Sequence, residues 1–287
     1  MLPSVSDKLL PLNSRSLLKP AATGARVLGA LERRVAFTVE EVESHQQLLD
    51  LAAIKFDPCS RKHESALNRL WLAMLGGGYT AKSRRWRELG FQGDDPRTDF
   101  RGGGYLSLSC LCFLAEEYQA EAQRWAREAE VSGYLFAASC INVVCILVIQ
   151  LRLNAQSIVP PVKGVRGASN FAMKRFARRL AHSNDVFGTF GELFVATVRT
   201  LHCEWLELCR KRPASNLLHF GQVLQDVNVA VECALCRSDD PAGLLRGSRT
   251  KASLVSRAIS WAATKYSAFL CSLLNMLSGS WVRGSFD

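Results

Sequence analysis

The chain has 287 residues, of which 48 % are hydrophobic and 22 % charged, enough apolar material for one large domain or a domain with extensions, and disorder throughout is excluded. Its net charge of +10 is uneven: residues 1–35 hold 6 Lys+Arg against 2 acids, residues 241–287 hold 6 against 1, and the remaining 205 residues carry only +1. Basic ends of this kind suit an anionic membrane or an acidic partner. Basic clusters interleaved with stacking aromatics are missing, so nucleic acid is not expected as a partner.

Residues 1–36 read as a basic leader. Lys8, Pro11, Arg15 and Lys19 interrupt any secretory core, while the Leu, Ser, Ala and Arg content is also that of a mitochondrial transit peptide. The body then runs over 37–240. Thr38 and Glu41 have the spacing of a capping box, and Val39, Val42, Leu48, Leu49, Leu51, Ala52 and Ile54 supply one apolar helical face that should end near Phe56, before Pro58. A second helix is predicted from after Ser60 through His63, Leu67, Leu70, Trp71 and Leu75, stopped by Gly76, Gly77 and Gly78.

The most unusual stretch follows, WRELGFQGDDPRTDFRGGGYLSL from Trp86 to Leu108. Trp86 and Leu89 sit at i and i+3 of a short helix that Gly90 can end in a left-handed cap. Gly93, Asp94, Asp95 and Pro96 are turn chemistry. Arg101 then precedes three glycines, whose missing side chains would let another molecule approach the backbone, and from Tyr105 the chain enters an apolar helix.

Residues 134–151 form the most apolar window. A membrane-spanning helix needs about 20 predominantly apolar residues, and this one is shorter and holds Ser139, Asn142 and Gln150. A central helix surrounded by neighbours is the preferred reading. Pro160 and Pro161 begin a connector. Residues 170–181 give a basic amphipathic helix, with Phe171, Phe176 and Leu180 against Lys174, Arg175, Arg178 and Arg179. Long helices are predicted over about 186–208 and, past Pro213, over about 216–235. Asp239, Asp240, Pro241 and Gly243 look like a boundary, followed by a basic extension, 241–287, with an amphipathic segment over 252–277. Apolar spacing of 3.6 almost throughout makes the domain all-α.

Phosphate-loop, nucleophile-elbow, zincin and calcium-loop patterns are all absent from the sequence. His45, His63, His182, His202 and His219 lack ligand or triad spacing. Most of the ten cysteines lie in apolar helical runs, as small buried hydrophobes. Cys233 and Cys236 form a CxxC without a second pair, which argues against zinc, and a reducing compartment fits.

Arg101 remains. By itself, an arginine two residues from Asp99 reads as a local ion pair. Yet Trp86, Gly90, Phe91, Gln92, Pro96, Thr98, Asp99, Phe100, Arg101, Gly102, Gly104 and Leu108 stand at the spacings of a long motif that resembles the signature of the ELMO-domain family. His63, Glu64, Leu67, Leu70 and Trp71, and Ile141 with Asn142, support the match, which covers roughly residues 40–240.

The resemblance implies a single multi-helix all-α domain with a central buried helix. It also implies a GTPase activator for Arf-family or Arf-like small GTPases, with Arg101 as the catalytic arginine finger. On that reading Trp86, Phe91 and Pro96 hold the loop, Thr98 shapes it and Asp99 orients Arg101. The protein has no cofactor of its own, because GTP and Mg²⁺ belong to the partner GTPase. The family's other branch is a non-enzymatic scaffold for DOCK-type exchange factors and lacks the arginine, so an adaptor is the alternative. The expected setting is cytoplasmic, with peripheral contact to an organelle membrane through the basic ends.

Overall fold

The computed structural model describes residues 35–153, 165–212 and 219–247. Every regular element among them is helical, as the spacing predicts. In chain order these are α1 (Val39–Ala52), α2 (Arg61–Met74), the one-turn α3 (Arg85–Glu88), a 3₁₀ turn (Pro96–Arg101), α4 (Gly104–Glu117), α5 (Gln119–Ser132), α6 (Phe136–Gln150), α7 (Asn170–Ala181), α8 (Val186–Lys211), α9 (Phe220–Arg237) and α10 (Pro241–Gly247).

The centre is α6. It is packed by α4, α5, α8, α9 and the 3₁₀ turn, and Val143, Val144 and Leu147 are fully buried. Its polar residues divide by position. The Ser139 hydroxyl donates to the Leu135 carbonyl at 2.6 Å, and Gln150 Nε2 donates to the Asn228 carbonyl at 2.7 Å, while Gln150 Oε1 is buried without a hydrogen-bond partner among the described residues. Asn142 reaches the surface. No single helix among the described residues is long and apolar enough to cross a membrane, and α5 and α6 together are bent by 109°.

Thr38 and Glu41 form the expected capping box, each side chain bonding a backbone N–H of the other. The helix they start ends at Ala52, four residues before Phe56. The released segment is used elsewhere: the Ile54 carbonyl accepts from the Tyr105 amide at 2.9 Å, and the Phe56 ring lies 5.4 Å from Phe100. Helix α5 has no counterpart in the sequence reading; its buried side is Ala122, Trp125, Ala126 and Ala129, three alanines and one large side chain.

The basic helix α7 departs from expectation at Phe171. Phe171 is exposed and stacks under Arg175, leaving Met173, Phe176 and Leu180 on the buried side. Its cations are also spoken for within the chain. Lys174 and Arg178 meet Glu41 at 3.1 and 3.6 Å, while Arg175 and Arg179 meet Asp239 and Asp240 at 2.9 and 3.1 Å. Asp240 also caps the next turn, accepting from the Gly243 amide at 3.0 Å. The turn residues from Asp239 to Gly243 therefore lead into α10, whose Ala242 and Leu245 join the core. The helical body continues past residue 240 to at least residue 247. The leader up to residue 34, Pro160, Pro161, Pro213, the start of the 216–235 helix and the 252–277 segment lie outside the described residues.

Candidate functional site

The Trp86–Leu108 connector is braced from both ends. Trp86 is fully buried, its indole N–H donates to the Thr80 carbonyl at 3.0 Å, and its ring meets Trp71 edge-on at 5.0 Å and Phe91 at 5.4 Å. Phe91 meets Phe100 at 5.8 Å, and Phe100 meets Phe56. This aromatic chain fixes where the loop leaves and re-enters the core, since buried edge-to-face rings are specific in geometry as well as apolar.

Gly90 ends the short helix with φ +81°. A side chain there would put Cβ 2.1 Å from the Phe136 backbone nitrogen, so the position needs glycine for both conformation and space. The close approach lets the Leu89 and Gly90 carbonyls accept from the Ala137 and Ala138 amides at 3.0 and 3.1 Å. Those amides are orphan donors in the first turn of α6. The loop thus caps the central helix, and the helix in turn seats the loop.

The next segment is tightened locally. Asp95 caps the 3₁₀ turn and holds Arg97 bidentately at 2.8 Å through each oxygen, which keeps the Asp95 carboxyl below its usual range. Pro96 is buried at the first position of the turn, where its missing N–H costs nothing. The Thr98 hydroxyl donates to the Asp95 carbonyl at 2.9 Å.

Asp99 does not orient Arg101. One of its oxygens accepts from the Gln92 amide at 2.9 Å, and the other lies 3.2 Å from the Thr98 hydroxyl, whose single proton it shares with the Asp95 carbonyl, because the turn directs the carboxylate back across the loop. Its partial burial raises the carboxyl above its usual range. Gln92 contributes that backbone amide and leaves its side chain exposed.

Arg101 is the last residue of the 3₁₀ turn and is exposed. No acid among the described residues pairs with it. The local ion pair with Asp99 is absent, and the guanidinium is presented to solvent from a rigid base.

The three glycines also serve a purpose other than the expected one. Gly103 and Gly104 are buried. A Cβ on Gly103 would lie 2.0 Å from Ser107 Oγ and 3.1 Å from Ile141 Cγ2, and Gly104 takes φ +62°. Gly103 and Gly104 turn the chain sharply into α4 against α6 and are closed to a visitor, while Gly102 is half-buried. Leu108 is fully buried one turn further on. Of the sequence-predicted site residues, Trp86, Gly90, Phe91, Pro96, Phe100, Gly104 and Leu108 are buried, Gln92, Thr98 and Asp99 hydrogen-bond within the loop, Gly102 is half-buried, and Arg101 extends its charged group outward.

Sequence reasoning did not place the second wall of the site. The segment after α1 runs alongside the 3₁₀ turn, with Tyr105 stacked on His63 at 4.2 Å and His63 stacked on Phe56 at 5.4 Å. The signal was present in the match at His63, but of its aromatic partners only Phe56 is near in sequence, and Tyr105 lies some forty residues away. The apolar void beneath the loop, lined in part by Leu70, Leu89, Phe91 and Phe136, has no polar group to hold a ligand. Among the described residues no group of His, Cys, Asp or Glu is arranged to hold a metal ion.

A family model described as the ELMO/CED-12 family matches residues 46–224. Human ELMO domain-containing protein 2 is 37 % identical over 111 residues, which cover 36 % of this chain and 38 % of that protein. Bovine ELMO domain-containing protein 1 is 42 % identical over 71 residues, covering 24 % of this chain and 22 % of the relative. ELMO domain-containing protein C of Dictyostelium discoideum is 24 % identical over 181 residues, covering 62 % and 28 % respectively. The matched region thus spans well under half the length of each of these relatives. No solved structure matches. With the family model spanning α1 to α9 and the motif loop built into the core of the same helices, the chain belongs to the ELMO/CED-12 family.

Proposed function

We propose that this protein is a GTPase activator for an Arf-family or Arf-like small GTPase, and that Arg101 is inserted in trans beside the partner's GTP. The observation that carries the reading is Arg101 itself: an exposed guanidinium without an acidic partner among the described residues, on a loop whose neighbouring motif residues are committed to rigidity. The resemblance of the loop to the activator branch of the family supports it. In phosphoryl transfer, charge shifts toward the leaving oxygens as the γ-phosphate bond breaks, and a positioned guanidinium stabilises that charge through directed hydrogen bonds.

Rigidity has a direct use here. With the backbone beneath Arg101 held in place before docking, only the arginine side chain itself has to be ordered when it enters the site. Such fingers are worth about 10³ to 10⁵ in rate, or about 4 to 7 kcal/mol of barrier. GTP and Mg²⁺ are supplied by the GTPase, and this chain contributes no nucleotide site of its own. A cytoplasmic setting, with membrane contact through the basic ends, belongs to the same proposal.

The test is GTP hydrolysis by a panel of GTP-loaded Arf and Arf-like proteins, with and without the protein. Stimulation that depends on Arg101 supports the activator. Binding of the GTP form with hydrolysis unchanged or slowed identifies a non-enzymatic adaptor.

A further inference from the structure

The helical body is close to neutral, and around the motif loop most cations are matched. Lys82 and Arg97 pair with Asp95, Arg85 with Glu88, and Arg87 with Asp94. The segment on the other wall of the site is different. Lys55, Arg61 and Lys62 are exposed, and none pairs with an acid among the described residues. The carboxylates nearest in the chain are engaged locally. Asp57 accepts from the Cys59 amide at 2.8 Å, and Glu64 accepts from the Tyr79 hydroxyl at 2.6 Å.

This segment is tied to the Arg101 turn by a row of contacts. Ile54 bonds the Tyr105 amide, Phe56 packs on Phe100, and Lys62 Nζ lies over the Tyr105 ring, 5.1 Å from its centroid. Phe100 and Tyr105 bracket Arg101 in sequence, so the segment that carries the three cations is packed against the turn that carries the guanidinium. Arg61 and Lys62 are moreover the first two residues of α2. A helix N-terminus carries partial positive charge and favours acids, so two adjacent cations there oppose the fold's own electrostatics. Side chains placed against local stability are a mark of sites shaped by function.

We infer that Lys55, Arg61 and Lys62 form a docking ridge that receives an acidic face of the GTP-loaded GTPase and steers Arg101 onto its nucleotide. The inference rests on the activator reading for what Arg101 does, but the docking surface is testable by itself. A protein partner is favoured over lipid because the exposed large apolar side chains, Val39, Leu72, Val131, Leu135 and Phe171, all lie off this segment, which leaves no apolar anchor for a bilayer interface. Complementary charges at an interface rim act chiefly on encounter rate and salt dependence.

The experiment measures binding of a panel of Arf-like proteins, loaded with a non-hydrolysable GTP analogue, to the full chain at low and high salt. Four proteins are compared: wild type, the triple variant Lys55→Glu/Arg61→Glu/Lys62→Glu, the same triple to Gln, and Arg101→Ala. Expected is a loss of about tenfold or more in affinity for the Glu variant at low salt, carried by the association rate, with a smaller loss for the Gln variant and a flatter salt dependence in both. The Glu variant should also melt at a higher temperature than wild type, since acids now occupy the start of α2. A lost interaction therefore cannot be ascribed to unfolding.

Wild-type affinity and salt dependence in the Glu variant, or the absence of binding by any panel member to wild type, overturns the ridge. So does a variant that loses only its adhesion to phosphatidylserine vesicles, which would assign the cations to a membrane. Unchanged hydrolysis in Arg101→Ala, alongside weakened binding in the Glu variant, would sink the finger and leave the ridge standing.

Discussion

Asp99 accepts a hydrogen bond from the Gln92 amide at 2.9 Å, closing the loop on itself across seven residues and turning its carboxylate away from Arg101. Replacing Asp99 by Ala removes the acceptor and should cost about 1 kcal/mol in thermal unfolding. Asp99→Asn keeps an oxygen in place and should cost less. Because burial raises the folded carboxyl above its unfolded value, the folded state holds that proton more tightly. Its contribution is present at acid pH and is lost as pH rises through the folded value. The Asn variant should lack that component, which comparison of melting temperatures across the acid range will show.

Two glycines with positive φ should respond very differently to alanine. Gly77 has φ +72° with nothing within 4 Å of its would-be Cβ, so Gly77→Ala should cost only the conformational strain, about 1 kcal/mol. At Gly90 the same methyl meets the Phe136 nitrogen at 2.1 Å and breaks the carbonyl caps on α6. A loss above about 4 kcal/mol is expected there, in the range reserved for clashes in the core. Denaturant unfolding of the two variants measures both.

Acid should destabilise the fold through two buried imidazoles. His45 Nε2 donates to the Leu151 carbonyl at 2.8 Å. His202 receives the Tyr134 hydroxyl on Nδ1 at 2.8 Å and donates from Nε2 to Glu128 at 2.6 Å. Burial pushes both below the usual imidazole value, against the opposing pull of the Leu151 carbonyl and of Glu128 respectively. The unfolded chain therefore binds these protons first. Stability should be fully present above about pH 6.5 and fall as pH drops below it, by at most about 1.4 kcal/mol per pH unit for each site. In the double variant His45→Gln/His202→Gln the slope of stability against pH should flatten, whatever the offset in absolute stability.

What the sequence made legible was local. The Thr38–Glu41 box, the Trp86–Leu89–Gly90 helix stop and the apolar run of α6 each depend on residues within a turn or two of one another, and each stands where its spacing places it. The site's finer geometry depends on long-range partners. Nothing near Asp99 in sequence indicates that it turns to Gln92, and the glycines after Arg101 look like open backbone until Ile141 and Ser107 fill the space beside Gly103. Helix α5 escaped because alanines make up most of its buried face. The acids at 239 and 240 read as a boundary because their partners, Arg175 and Arg179, lie some sixty residues earlier.

The most direct measurement is single-turnover hydrolysis by a GTP-loaded Arf-like protein in the presence of wild type, Arg101→Lys or Arg101→Ala, each at saturating concentration. Arg101 is exposed and carries no part of the fold, so both variants should melt like wild type. The predicted result is stimulation by wild type and a fall of about 10³ or more with either variant, because lysine cannot present the planar fork of donors. Equal hydrolysis rates with all three proteins would contradict the assignment of Arg101 as the finger.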